Sequence, residues 1–253
     1  MKNPEAQKKL SELEAVKLGL THLLAHVFSL KERLTPRKDA WGGQTDARRM
    51  ALGNIYRPCL TNPTLLFNML VTLSKEEELN EFARLIGMPD DKRNRENAFW
   101  DITWFVLTNT LLMFQFQIEN LFQNLWRELG NDEERSFLKL SEKLLLRLKV
   151  PDVGEKLKRL RALAYLRNSL HNNGIHSGPD FAFRIYTTIK SGDITIQVDA
   201  NYAFKKGGAV NCCGPMHVLG ICHGVVDVVK DVISAPDINA IAGPIRDRFA
   251  WAV

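Results

Sequence analysis

Cysteine is scarce in this chain of 253 residues. There are four cysteines, at Cys59, Cys212, Cys213 and Cys222. Because they are few and irregularly spaced, they exclude a small disulfide-stapled scaffold and favour a reducing compartment. The start, MKNPEAQKKLSELEAVK, is polar and charged where a secretory signal would need an apolar run. We therefore expect a cytoplasmic protein.

The sequence also lacks the motifs of several common enzyme classes. It has no Gly-x-Ser-x-Gly nucleophile elbow, dinucleotide fingerprint, kinase signature or paired-carboxylate site. Internal repeats and low-complexity tracts are absent, and 45% of the residues are hydrophobic, as in ordinary globular proteins. We expect one helical domain over residues 1–253, with an N-terminal helical part at about 1–90 and a core at about 91–235.

Charge and hydropathy limit the classes of partner. Lysine and arginine outnumber aspartate and glutamate by 34 to 29, giving a net charge of +5 that permits nucleic-acid binding without requiring it. The apolar stretch 98–118 carries a single charge, Asp101, but also Thr, Asn and Gln on several sides. These polar residues favour a central core helix over a membrane span, and we expect no membrane partner.

Hydrophobic periodicity predicts a mainly α-helical bundle with one small β-hairpin before the final long helix. Alternating residues indicate the hairpin at about 181–199, with a turn at Ser191-Gly192-Asp193. The first helix ends at Thr35-Pro36, and a loop follows at 37–44. Predicted helices cover about 4–34, 46–56, 62–86, 96–129, 133–148, 151–172 and 215–234, and the tail 235–253 is mostly loop with one short helix.

The most informative segment is Arg167-Asn168-Ser169-Leu170-His171-Asn172-Asn173-Gly174, at the end of the helix that Pro151 opens. At about 100° per residue, Arg167 falls within an apolar arc, and His171 lies beside it one turn further on. The opposite face carries Lys158, Ala162, Tyr165 and Ser169. A buried guanidinium needs an anionic partner, and a phosphodiester suits both side chains: arginine binds its oxygens and histidine moves a proton near neutral pH.

A structural role for the same segment stays open. Arg167 can form an ion pair with a glutamate of another helix, such as Glu119 or Glu128. His171 and the neighbouring asparagines can cap the helix end and the following turn.

An arginine followed by a polar residue and then a histidine, near the end of a helix in an all-helical chain, resembles the HEPN superfamily. The likeness covers about residues 96–235 and includes the hairpin and the final helix. Many members of that superfamily are metal-independent endoribonucleases, frequently toxins or antiviral effectors, with a site composed across a dimer. Here three residues separate Arg167 from His171, fewer than the usual signature has.

The resemblance implies a role for each matching residue. Arg167 would contact the phosphate, Asn168 would orient the histidine or the phosphate, and His171 would be the proton-transfer group. It also implies a homodimer, RNA as substrate and an inhibitor or antitoxin protein as partner, with no metal and no cofactor. The basic run before the motif is either a solvated face or an extension of an RNA track towards Arg167. On the second interpretation Lys158 and Arg161 are predicted substrate contacts, together with Asn172 along the same edge of the helix as Asn168 and Arg161.

Two histidine and cysteine clusters are candidates for metal sites. His22 and His26 lie one turn apart but lack a third ligand nearby. The run from Cys212-Cys213 to Cys222-His223 has adjacent cysteines, which are poor ligands for one tetrahedral ion. We predict no metal site at either.

Two function classes follow from these patterns. The first is an endoribonuclease that uses Arg167, Asn168 and His171. The alternative is a non-catalytic helical module that binds a protein, a nucleotide or a second copy of itself through the same face.

Overall fold

The structure is a computed structural model. It describes residues 18–19, 21–22, 25, 27–34, 46–55, 57, 61, 75–85, 87, 92–172, 174–191, 194–210 and 215–247. Within these ranges the chain is mainly helical and contains one two-stranded antiparallel sheet. The predicted fold class, a helical bundle with a hairpin before the final long helix, is confirmed.

The elements follow one another in a simple order. Described residues between 18 and 33 are helical, and so are residues 47–55. The labelled elements are α1 (Glu76–Leu85), α2 (Lys92–Glu128), α3 (Phe137–Arg147), α4 (Val153–His171), β1 (Phe181–Ser191), β2 (Ile194–Phe204), α5 (Pro215–Ser234) and α6 (Pro236–Asn239).

Helix α2 lies at the centre of the hydrophobic core. Its C-terminal half buries Phe114, Ile118 and Leu121 together with the polar Gln115 and Gln117. The apolar stretch 98–118 is therefore part of a core helix, as predicted. In the described part of the chain, no helix combines the length and the apolar character that crossing a membrane requires.

Helix α4 packs against α2, α3 and α5. Two ion pairs fasten it to α5, Lys156 Nζ to Asp231 at 3.1 Å and Arg159 Nη1 to Asp227 at 3.4 Å. Ala162 and Ser169, predicted on the face opposite Arg167, are buried as well. The sequence alone does not show that other elements cover this face.

Both ends of α4 are defined by unusual backbone conformations. Pro151 is predicted to open the helix, but the helix begins at Val153, because Asp152 adopts a left-handed conformation with φ of 53°. At the other end, the backbone N–H of Gly174 donates to the Ser169 carbonyl at 2.8 Å. Gly174 has φ of 80°, the left-handed conformation that glycine adopts without strain, so the predicted glycine stop is confirmed.

The hairpin is longer than predicted. Its register pairs Phe181 with Phe204 and Ser191 with Ile194, so β2 continues past the expected end near residue 199. Tyr202 and Phe204 keep the alternation and are buried. The predicted turn residues Gly192 and Asp193 lie outside the described residues.

Aromatic rings join the hairpin to α4. Tyr165 lies edge-on to Phe181 and to Phe204, with ring centroids 5.6 and 5.8 Å apart. His176 is buried against the same rings, and its Nε2 is 2.9 Å from the Pro179 carbonyl oxygen. The hairpin therefore covers the side of α4 that carries Tyr165.

One further helix prediction needs correction. The helix expected from about Asn62-Pro63 to Ile86 does not include Lys75, where the backbone bends, and α1 begins at Glu76. The predicted start at 62–63, the loop at 37–44 and the first part of the predicted helix 4–34 lie outside the described residues.

A fully buried ion pair joins the helix at 47–55 to the C-terminal segment. Asp46 caps that helix by accepting from the backbone N–H of Arg48 at 2.9 Å, and its carboxylate also accepts from the Arg48 guanidinium at 2.8 Å. The backbone N–H of Ile245 donates to Asp46 at 2.8 Å, and Arg48 Nη1 donates to the Ile238 carbonyl at 3.2 Å. Breaking the pair would remove the carboxylate that balances the charge of a buried guanidinium.

We predict that Asp46→Asn, which keeps the capping ability but removes the charge, lowers the free energy of unfolding by about 3–5 kcal/mol. Urea denaturation measures it. The matched control is Asp199→Asn in the exposed Arg184–Asp199 pair of the hairpin, which should leave the unfolding midpoint near that of the wild type. Equal midpoints for the two variants would show that the buried pair contributes no more than an exposed one.

Candidate functional site

Arg167 is half-buried on α4, on the side that faces α2. Its Nη1 donates to the side-chain oxygen of the next residue, Asn168, at 3.0 Å. Among the carboxylates that the structure describes, none forms an ion pair with it. The structural alternative, in which Arg167 is locked to Glu119 or Glu128, is therefore not what the structure shows.

The Arg167 side chain lines an open cavity of about 440 Å³, which we call the α2–α4 cleft. This volume lies within the range of small-molecule sites. The lining residues are Phe116, Glu119, Asn120 and Gln123 of α2, Glu133 and Arg135 of the segment before α3, and Arg167 of α4. The cleft thus combines two guanidinium groups, two carboxylates, two amides and one aromatic ring.

Glu119 is the carboxylate of the cleft whose ionisation the fold perturbs. Burial raises the pKa of its carboxyl above the ordinary value of 4.5, because the charged form loses hydration. The positive charge of Arg167 acts in the opposite direction without cancelling the effect. A carboxyl with a raised pKa gains and loses its proton at a pH closer to neutrality than an exposed carboxyl does.

Other polar groups of the cleft differ in whether they already have ion-pair or hydrogen-bond partners. Glu133 forms an ion pair with Arg127 at 2.8 Å. The Gln123 amide N–H donates to the Glu134 carbonyl, but its Oε1 is buried without a hydrogen-bond partner in the described structure. Such an acceptor is costly unless a ligand or a water supplies a donor. Gln123 therefore retains one unused acceptor beside the cleft.

The end of the described chain lies beside the cleft. Asp247 Oδ1 accepts from the side chain of Asn120 at 3.3 Å and from that of Asn124 at 3.1 Å. Asn124 also donates to Asn120 at 3.2 Å. Because Asn120 lines the cleft, this network fixes one of its walls.

The predicted catalytic residues share one helix end. Asn168 is exposed and contacts Arg167. Residue 171 lies in the last turn of α4, one turn after Arg167, so both positions are on one helix face. The side chain of His171 lies outside the described residues.

The predicted substrate contacts are not gathered at the cleft. Lys158 is exposed and pairs with Glu155 at 2.6 Å, and at 100° per residue it lies on the opposite face of α4 from Arg167. Arg161 lies over the Phe181 ring at 5.7 Å, towards the hairpin. Asn172 donates to the Ile175 carbonyl at 3.1 Å, which is the capping contact of the structural alternative. In their place, Arg135 brings a second guanidinium to the cleft.

The histidine and cysteine clusters remain apart from the cleft residues. His22 stacks on His223 with ring centroids 5.9 Å apart, and His223 Nε2 is 3.1 Å from the Gly19 carbonyl oxygen. Cys222 is buried in the core. Within the described ranges there is no group of three or more metal-ligating side chains. His26, Cys212, Cys213 and His217 lie outside the residues whose side chains are described.

Sequence reasoning named Glu119 as a partner of Arg167 and missed Gln123 and Arg135. One signal was available, a polar stripe on the otherwise apolar α2. Glu119 and Gln123 are four residues apart, as are Asn120 and Asn124, so each pair lies on one helix face. Arg135 gave no such signal because it comes from an irregular segment.

No protein-family model, no curated protein and no solved structure matches this chain.

We predict that Arg167→Gln raises the pKa of Glu119 further. The substitution removes the positive charge that now lowers this pKa and leaves the burial that raises it. An NMR titration of ¹³C-labelled glutamate carboxyls measures the change, with Arg184→Gln on the hairpin as a control that leaves the Glu119 titration where it is. An unchanged Glu119 pKa in Arg167→Gln would mean that the two side chains do not interact.

Proposed function

We propose that this chain is a HEPN-like endoribonuclease that cleaves RNA without a metal ion, with Arg167 at the phosphate and His171 in proton transfer. The observation that carries the proposal is the state of Arg167. It is half-buried in an open cleft, and it forms no ion pair with a carboxylate among the described residues. A guanidinium in that position favours an anionic ligand, because a neutral contact to Asn168 offsets little of its lost hydration.

A phosphodiester fits the donors of the cleft. Arginine presents a planar fork of N–H groups that matches two phosphate oxygens, and Arg135 lies in the same cleft to neutralise the second charge of a strand. In the reaction, Arg167 stabilises the charge that builds on the phosphoryl oxygens. His171 transfers a proton to or from the sugar oxygens on either side of the phosphorus.

The wider setting belongs to the same proposal. The resemblance that suggests the activity also suggests a homodimer, an inhibitor or antitoxin protein and a role in defence. Asn168 would orient the phosphate or the histidine. Any RNA contact of Lys158 or Arg161 is made away from the cleft, because both lie on other faces of α4.

A second function is favoured by the charges of the cleft. Its lining holds as many carboxylates as guanidinium groups, and this balance suits a polar or zwitterionic partner better than a polyanion. In that case the protein is a non-catalytic helical module that binds a protein, a nucleotide or a second copy through the same surface.

We predict that the purified protein cleaves an RNA oligonucleotide in excess EDTA, and that Arg167→Ala and His171→Ala each lower the rate by about 10²-fold or more. Gel analysis of end-labelled RNA measures the cleavage. Arg147→Ala is the matched control, since this exposed arginine pairs with Asp237 on the surface and lies outside the cleft lining. Full activity of His171→Ala would contradict the nuclease, and specific ligand binding without cleavage by the wild type would support the second function.

A further inference from the structure

Glu119 occupies a distinctive position in the α2–α4 cleft. It projects from α2 into the same cavity as Arg167, it is half-buried, and it forms no ion pair with a described basic side chain. The other carboxylate of the lining, Glu133, is engaged by Arg127. Glu119 is therefore the carboxylate of the described lining that remains available to a ligand.

The charged groups around Glu119 come from three other parts of the fold. Arg167 of α4 acts on it electrostatically, Glu133 and Arg135 of the segment before α3 line the same cavity, and Asp247 is held by Asn120 at the wall of the cleft. Burial raises the Glu119 pKa, and Arg167 limits the increase. The pKa of the Glu119 carboxyl is therefore closer to neutral pH than that of an exposed glutamate. The positive charge of Arg167 favours the anionic form.

We propose that Glu119 is a further catalytic residue, the general base that takes the proton of the attacking 2′-hydroxyl while His171 gives a proton to the leaving 5′-oxygen. The inference depends on the proposed nuclease function. As the 2′-oxygen bonds to phosphorus, its proton moves to the Glu119 carboxylate, and the phosphorus–5′-oxygen bond breaks. The products are a 2′,3′-cyclic phosphate and a 5′-hydroxyl end, so no water, metal or co-reactant is consumed.

Two features of the cleft support this assignment. Arg167 and Glu119 line one cavity, so a phosphate held by Arg167 would bring the adjacent ribose towards Glu119, and general-base catalysis requires hydrogen-bond reach of its hydroxyl. Gln123, one turn after Glu119 on α2, is 6% exposed and has an unpartnered Oε1. A rotation of this amide towards the cavity would let Oε1 accept from a ribose hydroxyl.

The assignment changes what a second subunit has to supply. A single histidine cannot act as base and acid in the same step, and the site composed across a dimer that the resemblance implies would let a second copy provide the other group. With Glu119 in the same cleft as Arg167, both proton-transfer groups come from one chain. Dimerisation is then not needed for the chemical step.

The test is the pH dependence of RNA cleavage by the full chain in EDTA. We expect Glu119→Gln to lower kcat/KM by about 10²-fold or more and to abolish the rise of the rate on the acid side of the profile. Glu119→Asp should restore part of the rate together with that limb. Glu128→Gln is the matched control, an exposed glutamate on the same helix outside the cleft lining, and should leave both rate and profile unchanged.

Folding is checked separately by thermal unfolding. Because burial already disfavours the charged form of Glu119, the neutral glutamine should leave the melting temperature close to that of the wild type. An unchanged rate and profile in Glu119→Gln, with His171→Ala inactive, would overturn the role of Glu119 and leave the nuclease standing. A lower rate with the acid limb intact would also overturn it. Cleavage that persists in His171→Ala would overturn the nuclease proposal and this inference together.

Discussion

The enclosure of α4 is the constraint on which the candidate site depends. The hairpin covers this helix through Tyr165, while Lys156 and Arg159 fasten it to α5. The edge that faces α2 keeps an opening large enough for a ligand, and Arg167 lies there. A helix packed in this way cannot turn a different face to the cleft, so the residues that meet Arg167 are fixed by the packing. This explains why Lys158 and Arg161, near in sequence to Arg167, do not join it.

The charged groups of the cleft differ in whether they already form an ion pair, and this matters more than their number. Glu133 is neutralised by Arg127, which leaves the guanidinium groups of Arg135 and Arg167 facing the single carboxylate of Glu119. Burial raises the pKa of that carboxyl, and the positive charge of Arg167 acts in the opposite direction. Binding of an anion and the protonation of Glu119 are therefore coupled, because an added negative charge raises its pKa further.

Elements defined by a strong local period could be predicted from the sequence, and those defined by tertiary contact could not. The valines and isoleucines of α5 gave its bounds, 215–234, and Gly174 marked the end of α4. The start of α4 was misplaced because Asp152 takes a left-handed conformation that no propensity predicts. The pair Arg167 and Glu119 was open to sequence reasoning as an ion pair. The cleft that separates them, with Arg135 in its wall, arises from the packing of segments far apart in the chain.

The short spacing between Arg167 and His171 has a simple physical consequence. Helix α4 continues to residue 171, so the two positions lie on one face and are separated by a single turn, a rise of about 6 Å. Under the proposed function, this arrangement would place the phosphate contact and the proton-transfer group on one face of α4. The proposed nuclease would then take its second proton-transfer group from another element. Within the described structure, α2 lies across the cleft from α4 and carries the half-buried Glu119.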